Sequence, residues 1–500
     1  MSVILAFDSG GTNLRAALLD RAGHTVAEFT APQGSPGGPA TTEIDPDHWW
    51  DMFRQAADVL ASHPAFATVM GIALTGMTRT QVFLDERGRA VRPAITFRDG
   101  RAIEEAAQLL ALAPEAWPER AQINAFHPAA RLAWLAAYEP ASMARLHSVV
   151  DPKDYLNARL TGRVASDTIS GARLRAVLQG PKAIRAALRL PRTACELPFL
   201  PPTERLGMVL PGLPGGLSRL EGCPVFTMTH DSWAAVAGLG ALQPGLAYNI
   251  SGTTEVMGLI GTEPAEALGL PLVEWGPDLY QIGGPSQSGA DSVAWLLALL
   301  AEGMDAAAPA KLEALLAAPR DAAAALFLPF LQGERVPFWD PHLRGTWLGL
   351  HRRHGAGDLA WSVLEGVAFL NRTVLQRAEK AQGAPAREIR FGGGGASSVT
   401  WCQIKADVTG RPIAVGEAAQ PGLLGCAVVA WAGLGAFAGL ADAQQAIVRI
   451  ARRYVPDPAR HAAYMPLFET WTRAVAALQP FAAEVAALHA PSSTAGAYEA

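Results

Sequence analysis

The sequence predicts an α/β protein of two domains, and three features of the chain support this fold class. The chain has 500 residues, which is too long for one ordinary hydrophobic core. Short apolar runs typical of strands alternate with helical stretches such as His48–Ala61. A strand, a glycine turn and a second strand at Val3–Asp20 recur about half a chain later at Leu246–Gly261, which indicates a duplicated domain.

The first half begins with two predicted strands, Val3–Phe7 and Arg15–Leu19, which are separated by a tight glycine turn. Strands are also predicted at Val69–Leu74 and Val82–Leu84, and the second of these runs into a turn signal. The Pro- and Gly-rich stretch Leu210–Gly216 predicts a loop near the edge of this half.

The second half repeats this outline and continues with an Ala- and Leu-rich region, Asp291–Ala325, that is predicted to be helical. We place the domain boundary in the glycine-containing stretch around residues 240–245, which gives domains at 1–243 and 244–485. Residues 486–500, which end in APSSTAGAYEA, are predicted to form a disordered tail.

Composition excludes several classes of protein. Half of the residues are apolar, the formal net charge is -5 and no long basic run occurs, so nucleic acid is not an expected partner. No apolar segment is long enough to span a membrane, and no signal-type stretch precedes the first strand. The four scattered cysteines fit neither a zinc site nor a disulfide framework, and they predict reduced, mostly buried thiols in a cytoplasmic protein.

The turn in VILAFDSGGTNLRAALLD, Val3–Asp20, raises the question of anion binding. A P-loop or a dinucleotide-binding loop would open a helix, whereas a second strand follows this turn. A hairpin turn of this kind can present backbone N–H groups and a Thr hydroxyl to a phosphate, since glycine permits close approach. An ordinary Gly-Gly hairpin explains the turn equally well.

A second turn of the same character occurs at Ser251–Thr254, in the other half of the chain. Two phosphate-binding hairpins that face each other across a cleft would hold a nucleoside triphosphate from both sides. This is the arrangement of the actin-like ATPases, so the pair favours phosphate binding over two unrelated hairpins.

Four further segments resemble those of the FGGY family of carbohydrate kinases, and the resemblance extends from Val3 to about Val475. In chain order they are DPKDYLNARLTG (Asp151–Gly162), FLPFLQGERVPFWDPHLRGTWLGL (Phe327–Leu350), LEGVAFLNR (Leu364–Arg372) and FGGGGASSVTWCQIKADVTGRPI (Phe391–Ile413). The resemblance implies two ribonuclease-H-like domains of the actin-like ATPase type that flank a deep cleft. It implies ATP and Mg²⁺ mainly on the second domain and a sugar mainly on the first.

The resemblance also implies the reaction, which is transfer of the γ-phosphoryl group of ATP to a hydroxyl of a small sugar or polyol. A ketopentose such as xylulose or ribulose is the acceptor it favours. Many members of the family are dimers, so the resemblance allows a homodimer and leaves the oligomeric state open.

Three residues match catalytic positions of the family. Asp231, in FTMTHDSWAAVAGLG, matches the base that accepts the proton of the acceptor hydroxyl. Without the resemblance, a helix N-cap would be the better explanation for an Asp at this point. Asp8 matches the Asp near Mg²⁺ and the transferred phosphate, and otherwise it would cap a turn. Arg15 matches an Arg beside the reaction centre, and otherwise it would be a solvated strand residue.

The nucleotide-binding positions implied by the resemblance form three groups. They are Gly10, Gly11, Thr12 and Asn13 in the first phosphate turn, Gly252, Thr253 and Thr254 in the second, and Gly393, Gly394, Gly395 and Ser398 in the adenosine segment. Many members of the family have Gly-Thr-Thr or Gly-Thr-Ser in the first turn. The Thr and Asn of this chain keep side-chain donors there, so we expect the turn to bind phosphate despite its different sequence.

The sugar side departs furthest from the family pattern. Thr78 and Arg79 occupy the positions of Met-His in xylulokinases and Arg-Glu in glycerol kinases. Phe97 and Arg98 replace a Trp and an amide, while Asp99 is retained and could bind a pair of hydroxyls. A surface ion pair would explain either arginine. If both instead face the pocket, they suit a polyhydroxylated substrate that carries a carboxylate, so a kinase of an acidic sugar (an aldonate) is an alternative.

Two other functions share part of the pattern. A non-catalytic actin-like nucleotide switch would have the phosphate hairpins but would need neither the His230-Asp231 segment nor the sugar-side segments. A sugar-sensing transcription regulator would carry a helix-turn-helix before the first strand, and here the first strand is predicted from residue 3.

Overall fold

The structure is a computed structural model that describes residues 1–33, 42–117, 120, 122–300 and 308–488. The chain forms two compact units. The first consists of Met1–Gly240 and Gln420–Arg449, and the second of Ala241–Ala419 and the chain from Ile450 onward. The sequence predicted one division, between residues 243 and 244. The structure differs because residues 420–449, which were assigned to the second domain, pack within the first unit.

The strands and helices are numbered in chain order. The strands are β1 (Val3–Ser9), β2 (Asn13–Asp20), β3 (Thr25–Pro32), β4 (Glu43–Ile44), β5 (Val69–Gly76), β6 (Val82–Leu84), β7 (Ala94–Ile95), β8 (Ser148–Val150), β9 (Ser166–Asp167), β10 (Phe199–Leu200), β11 (Arg205–Met208), β12 (Pro224–Phe226), β13 (Leu246–Ser251), β14 (Glu255–Gly261), β15 (Leu272–Gly276), β16 (Leu279–Pro285), β17 (Leu326–Leu328), β18 (Thr346–Leu348), β19 (Glu388–Gly393), β20 (Ile413–Gly416) and β21 (Ile450–Tyr454). The helices are α1 (Pro46–Leu60), α2 (Ile103–Leu112), α3 (Pro128–Tyr138), α4 (Pro140–Arg145), α5 (Pro152–Thr161), α6 (Ala172–Leu178), α7 (Lys182–Ala187), α8 (Asp231–Gly238), α9 (Ala290–Leu300), α10 (Ala308–Leu316), α11 (Ala356–Gln382), α12 (Val399–Thr409), α13 (Pro421–Gly433), α14 (Leu440–Ile447) and α15 (Pro458–Leu488).

The main sheet of the first unit has the strand order β11-β12-β5-β1-β2-β3. Strand β2 is antiparallel to both of its neighbours, β1 and β3, whereas β5 is parallel to β1 and β12 is parallel to β5. The central strand β1 is buried on both faces, since Val3–Phe7 is apolar throughout and fully buried. The chain leaves the hydrophobic core at the end of β1, where the first glycine turn follows.

The sheet of the second unit repeats this topology. Its order is β15-β16-β14-β13-β19-β20-β21, in which β13, β14 and β16 are antiparallel and β19 and β20 run parallel to β13. In both sheets, three strands with antiparallel pairing are followed by two parallel strands and then by an antiparallel edge strand, in the same spatial order. The second sheet has one more strand, β15, which pairs with β16. The shared topology bears out the duplication that the two similar turns indicated.

Several local predictions are confirmed and two need correction. The predicted strands and the first helix appear as β1, β2, β5, β6 and α1, which begins after the capping residue Asp45. The region predicted to be helical, Asp291–Ala325, contains α9 and α10 and then an irregular stretch before β17, while residues 301–307 lie outside the described residues. Helix α15 extends to Leu488, so residues 486–488 of the predicted tail are helical, and 489–500 are not described.

The cysteines are free thiols and mostly buried, as the sequence predicted. All four cysteines are free, and Cys223, Cys402 and Cys426 are buried. In the part of the chain that the structure describes, no helix has the length and apolar content needed to cross a membrane.

Helices α8 and α13 pack against each other through two glycines. A Cβ atom on Gly238 would lie 1.8 Å from the carbonyl oxygen of Pro421, and one on Gly425 would lie 1.9 Å from that of Ala234. Both distances are far below contact distance, so the helix backbones meet directly. This contact holds the returning segment 420–449 onto the helix that starts at Asp231.

We expect Gly425→Ala to destabilise the first unit, although Ala is the better helix former in isolation. The added methyl group has no space against α8, and overpacking of this kind costs about 1–3 kcal/mol. Urea unfolding followed by circular dichroism measures the difference. Gly100→Ala is the control, because its Cβ would find no heavy atom closer than 4.0 Å. A Gly425→Ala protein as stable as the control would contradict the close packing.

Candidate active site

The first glycine turn, Gly10–Thr12, joins the central strand β1 to β2. In the register of this hairpin Asp8 lies opposite Arg15. The turn is tight, because a Cβ atom on Gly10 would lie 2.9 Å from the carbonyl oxygen of Asn13. The predicted sequence of strand, turn and strand is confirmed, and the turn is reachable from solvent. Its glycines allow an anion to approach the backbone closely.

Asp8 is a carboxylate at the end of a buried strand. Burial, and next the negative charge of Asp231, raise its pKa to about 7, while Arg15 acts in the opposite direction. Its Oδ1 atom is buried and has no hydrogen-bond partner among the described residues. An unpartnered carboxylate oxygen beside an anion-binding turn fits a Mg²⁺ ion, which prefers oxygen ligands and keeps several of its waters.

The returning segment contributes a helix terminus beside this carboxylate. A Cβ atom on Gly422, in the first turn of α13, would lie 3.6 Å from Asp8 Oδ2. The N-terminal end of a helix carries partial positive charge, which favours the ionised form of a nearby carboxyl group. The sequence analysis missed this contribution, because Pro421 and Gly422 are more than 400 residues along the chain from Asp8.

Asp231 is the first residue of α8 and is not its N-cap. The cap is His230, whose ring Nδ1 accepts the backbone N–H of Trp233 at 3.4 Å. The Asp231 carboxylate accepts only from the neighbouring Ser232, from its N–H at 2.6 Å and its hydroxyl at 3.2 Å, among the contacts described. The capping explanation considered from sequence is therefore wrong, and the side chain is about one third exposed.

Phe97 and Arg98 lie against the first glycine turn. A Cβ atom on Gly11 would lie 3.3 Å from the Phe97 ring and 3.8 Å from a terminal guanidinium nitrogen of Arg98. The guanidinium group of Arg98 also stacks over the Phe97 ring, 5.1 Å from its centroid. The structure thus brings two residues predicted for the sugar side together with the predicted phosphate turn.

Asp99 is buried and engaged within the protein. Its two carboxylate oxygens accept hydrogen bonds from Arg101 Nε at 2.9 Å, and a backbone N–H of Arg101 donates at 2.9 Å. Burial alone would raise its pKa, but the hydrogen bonds from Arg101 outweigh this effect and the pKa lies below the usual value. Little capacity is left for substrate hydroxyls, so the predicted contact of Asp99 with a sugar stays a prediction.

Arg131 is a buried residue that the sequence analysis missed, although an Arg within the apolar helix α3 is an unusual signal. It is fully buried, and burial lowers its pKa to about 10. Its guanidinium group donates to oxygen atoms of two segments, namely the carbonyl groups of Arg79 (2.6 Å), Ile95 (3.2 Å), Thr96 (2.6 Å) and Asp99 (3.1 Å) and the side chain of Gln81. It therefore ties the segment of Thr78 and Arg79 to the segment of Phe97–Asp99.

The second glycine turn, Gly252–Thr254, joins β13 to β14 and lies beside the glycine-rich loop, Gly393–Gly395. Strands β13 and β19 are parallel, with Ser251 opposite Gly393. A Cβ atom on Gly393 would lie 2.2 Å from the Ser251 carbonyl oxygen, and one on Gly395 would lie 2.5 Å from Ser251 Oγ. Turn and loop are thus in backbone contact, which only glycine permits.

The hydroxyl of Ser398 has two partners inside the protein. It accepts the backbone N–H of Trp401 at 3.2 Å as the N-cap of α12, and it donates to Glu313 Oε1 at 2.8 Å. A direct contact of this hydroxyl with adenosine stays a prediction. Helix α12 follows the loop at once, as the sequence predicted for Trp401–Val408.

The predicted site residues differ in accessibility. Exposed residues are Thr12, Arg79, Phe97, Arg98, Gly252, Thr253, Gly393 and Gly394; partly buried residues are Asp8, Gly10, Gly11, Asn13, Arg15, Thr78, Asp231, Thr254 and Ser398; buried residues are Asp99 and Gly395. Apart from these two buried residues, each predicted site residue is at least partly exposed.

We expect Asp8→Asn to stabilise the metal-free protein at alkaline pH. The folded pKa of about 7 lies above the value of 3.8 expected for an unfolded chain. Between these values the folded state binds more protons, so stability falls as pH rises through this window and is level above it. An amide does not titrate, so the Asn variant keeps its folding stability as pH rises. Each kcal/mol of stability gained over the wild type raises the midpoint of thermal unfolding by roughly 2–4 °C.

Thermal unfolding in EDTA at pH 4, 6 and 8 measures this difference. The two proteins should unfold at similar temperatures at pH 4 and diverge as pH rises to 8. An Asn variant that is less stable than the wild type at pH 8 would contradict the prediction that the ionised Asp8 carboxylate destabilises the fold.

Comparison with known proteins gives consistent matches over the chain. The model of the N-terminal domain of the FGGY family of carbohydrate kinases matches residues 3–238, and that of the C-terminal domain matches residues 247–434. A xylulose kinase of Streptomyces coelicolor is 30% identical, over 90% of this chain and 90% of the relative. A glycerol kinase of Aromatoleum aromaticum is 28% identical, over 95% of this chain and 98% of the relative. The crystal structure of xylulose kinase from Rhodospirillum rubrum superposes with a TM-score of 0.84 at 29% identity, covering 96% of this chain and 100% of that one.

Proposed function

The chain belongs to the FGGY family of carbohydrate kinases, which phosphorylate sugars with ATP, and we propose that its acceptor is a ketopentose such as xylulose or ribulose. Relatives of similar identity include both xylulose and glycerol kinases, so the choice of acceptor belongs to this proposal. We also propose the cytoplasm as the compartment, where thiols stay reduced.

The observation that carries the proposal is the cluster of charges around the first glycine turn. The negative charge of Asp231 contributes to the raised pKa of Asp8, and Arg15 lies opposite Asp8 in the register of the hairpin. Phosphoryl transfer requires an acceptor for the hydroxyl proton and positive charge for the phosphate oxygens. Two carboxylates and one arginine beside a turn that can bind phosphate supply these parts.

We assign the proton-accepting role to Asp231. Its carboxylate has no partner outside its own helix terminus among the described contacts, and it is reachable from solvent. A carboxylate in that place can accept the proton of the acceptor hydroxyl. Asp8 would hold Mg²⁺, which would neutralise charge on the phosphates when it is bound. Arg15, which lies opposite Asp8 in the hairpin, would stabilise the transferred phosphoryl group.

The acceptor would lie against the segments that Arg131 ties together. Phe97 offers an exposed ring as an apolar wall, and Thr78 offers a hydroxyl at the surface of the same unit. Arg98 adds positive charge at the edge of the phosphate turn. The second candidate, an acidic sugar, is supported by the exposure of both Arg79 and Arg98, since a guanidinium group can bind a carboxylate through two hydrogen bonds.

We expect Asp231→Asn to lower sugar-stimulated release of ADP by about 10²–10⁴-fold, because an amide cannot accept the hydroxyl proton. A coupled assay with saturating ATP and sugar measures turnover. Asp47→Asn is the matched control, since Asp47 also lies in the first turn of a helix of the first unit and should keep full activity. Unimpaired turnover of Asp231→Asn would overturn the assignment.

We expect xylulose or ribulose to give the highest kcat/KM in a panel of ketopentoses, glycerol and aldonates. Arg79→Ala should raise the KM for the acceptor several-fold and leave the KM for ATP unchanged, since the arginine belongs to the sugar side. Arg87→Ala, at an exposed turn of the same unit, is the control. An aldonate as the best substrate would decide for the second candidate, and an unchanged acceptor KM in Arg79→Ala would remove Arg79 from the sugar site.

A further inference from the structure

We propose that the buried side chain of Lys405 positions the second glycine turn against the glycine-rich loop and thereby sets the affinity for the adenine nucleotide. The inference rests on the proposed nucleotide-binding role of these two segments. It assigns a positioning residue that lies outside the glycine turns and loops themselves.

The ammonium group of Lys405 lies at the centre of a buried polar cluster. Its Nζ atom is 2.9 Å from both carboxylate oxygens of Glu255 and 2.9 Å from Asn249 Oδ1, and it also donates to Asn371 Oδ1. An ammonium group has three N–H donors, and three side chains accept from it. All four residues are at least 97% buried, so the cluster is shielded from bulk water.

The cluster connects both ends of the second glycine turn to the helix that follows the glycine-rich loop. Asn249 lies on β13 before the turn, and Glu255 is the first residue of β14 after it. Asn249 Nδ2 also donates to Glu255 Oε2 at 3.0 Å, so the two residues bridge the base of the turn. Lys405 lies on α12, whose first residue follows the loop. One side chain therefore fixes the turn relative to the loop.

The charge of Glu255 gives a second argument that its ion pair with Lys405 affects nucleotide binding. Glu255 directly follows Thr254, and a free carboxylate at that point would oppose the approach of a triphosphate. Lys405 neutralises it within hydrogen-bond distance. Burial lowers the pKa of Lys405, while Glu255 opposes this effect. A buried ion pair usually adds little net stability compared with apolar residues, so stability alone does not account for this one.

A purely structural role makes a different prediction. If Lys405 only stabilised the second unit, its loss would lower the unfolding temperature and leave nucleotide affinity intact in the folded fraction. If it positions the turn, its loss weakens nucleotide binding selectively, because the acceptor contacts belong to the first unit. Comparing the change in the KM for ATP with the change in the KM for the acceptor distinguishes the two roles.

We expect Lys405→Met, which keeps the length of the side chain, to raise the KM for ATP about 10-fold or more and to leave the KM for the acceptor within about 2-fold. Calorimetric titration with ADP should show a similar loss of affinity without any turnover. The matched control is Arg411→Met, which breaks the ion pair of Arg411 with Glu379 (2.8 Å) between the ends of α12 and α11. That control should lose stability and keep its affinity for ADP.

The wild-type titration separates the two levels of the proposal. Failure of the wild type to bind ADP would overturn the proposed function itself. A folded Lys405→Met protein with wild-type ADP affinity, or one in which both KM values rise equally, would overturn only the positioning role. If Lys405→Met does not fold, Glu255→Gln is measured instead. A loss of ADP affinity of several-fold then supports the inference, and an unchanged affinity overturns it.

Discussion

The backbone contact between α8 and α13 is the constraint on which the candidate active site depends. Helix α8 starts at Asp231, and the first turn of α13 lies beside Asp8. The two helices can pack this closely only because Gly238 and Gly425 lack side chains at the crossing. A segment from late in the chain is thus used to hold two carboxylates of the first unit in one electrostatic environment. A side chain on either glycine would clash with the backbone of the other helix, so the two helices could not keep this contact.

The two units use buried charge in opposite ways although their sheets share one topology. In the first unit Asp8 ends a fully apolar strand and one of its oxygen atoms has no described partner, so its pKa is raised. Such a group is costly to the fold and available for chemistry. At the equivalent hairpin of the second unit, Glu255 is fully paired with Lys405. The charge of Glu255 is therefore neutralised, and the base of this hairpin is tied to α12.

Local sequence predicted the parts of the site that depend on neighbours in the chain. The glycine turns, the strand that carries Asp8 and the helix that begins at Asp231 all follow from short patterns of apolar residues, glycine and turn signals. Partners distant in sequence could not be predicted in this way. Arg131 binds the carbonyl group of Arg79 from 52 residues away, and Lys405 reaches Glu255 across 150 residues. The packing of residues 420–449 within the first unit could not be predicted either, because its contacts join segments that are distant in sequence.

The proposed sugar side lies against the first glycine turn, and this would limit how the specificity of the chain can change. The Phe97 ring lies against Gly11, and the guanidinium group of Arg98 is 5.1 Å from the centroid of that ring. Under the proposed function, a substitution at Phe97 would therefore alter the wall for the acceptor and the packing of the glycine turn together. The backbone carbonyl group of Arg79 accepts a hydrogen bond from Arg131, and the Arg79 side chain is exposed. Under the proposed function, acceptor preference would therefore change more readily at residue 79 than at residues 97 and 98, which also lie against the first glycine turn.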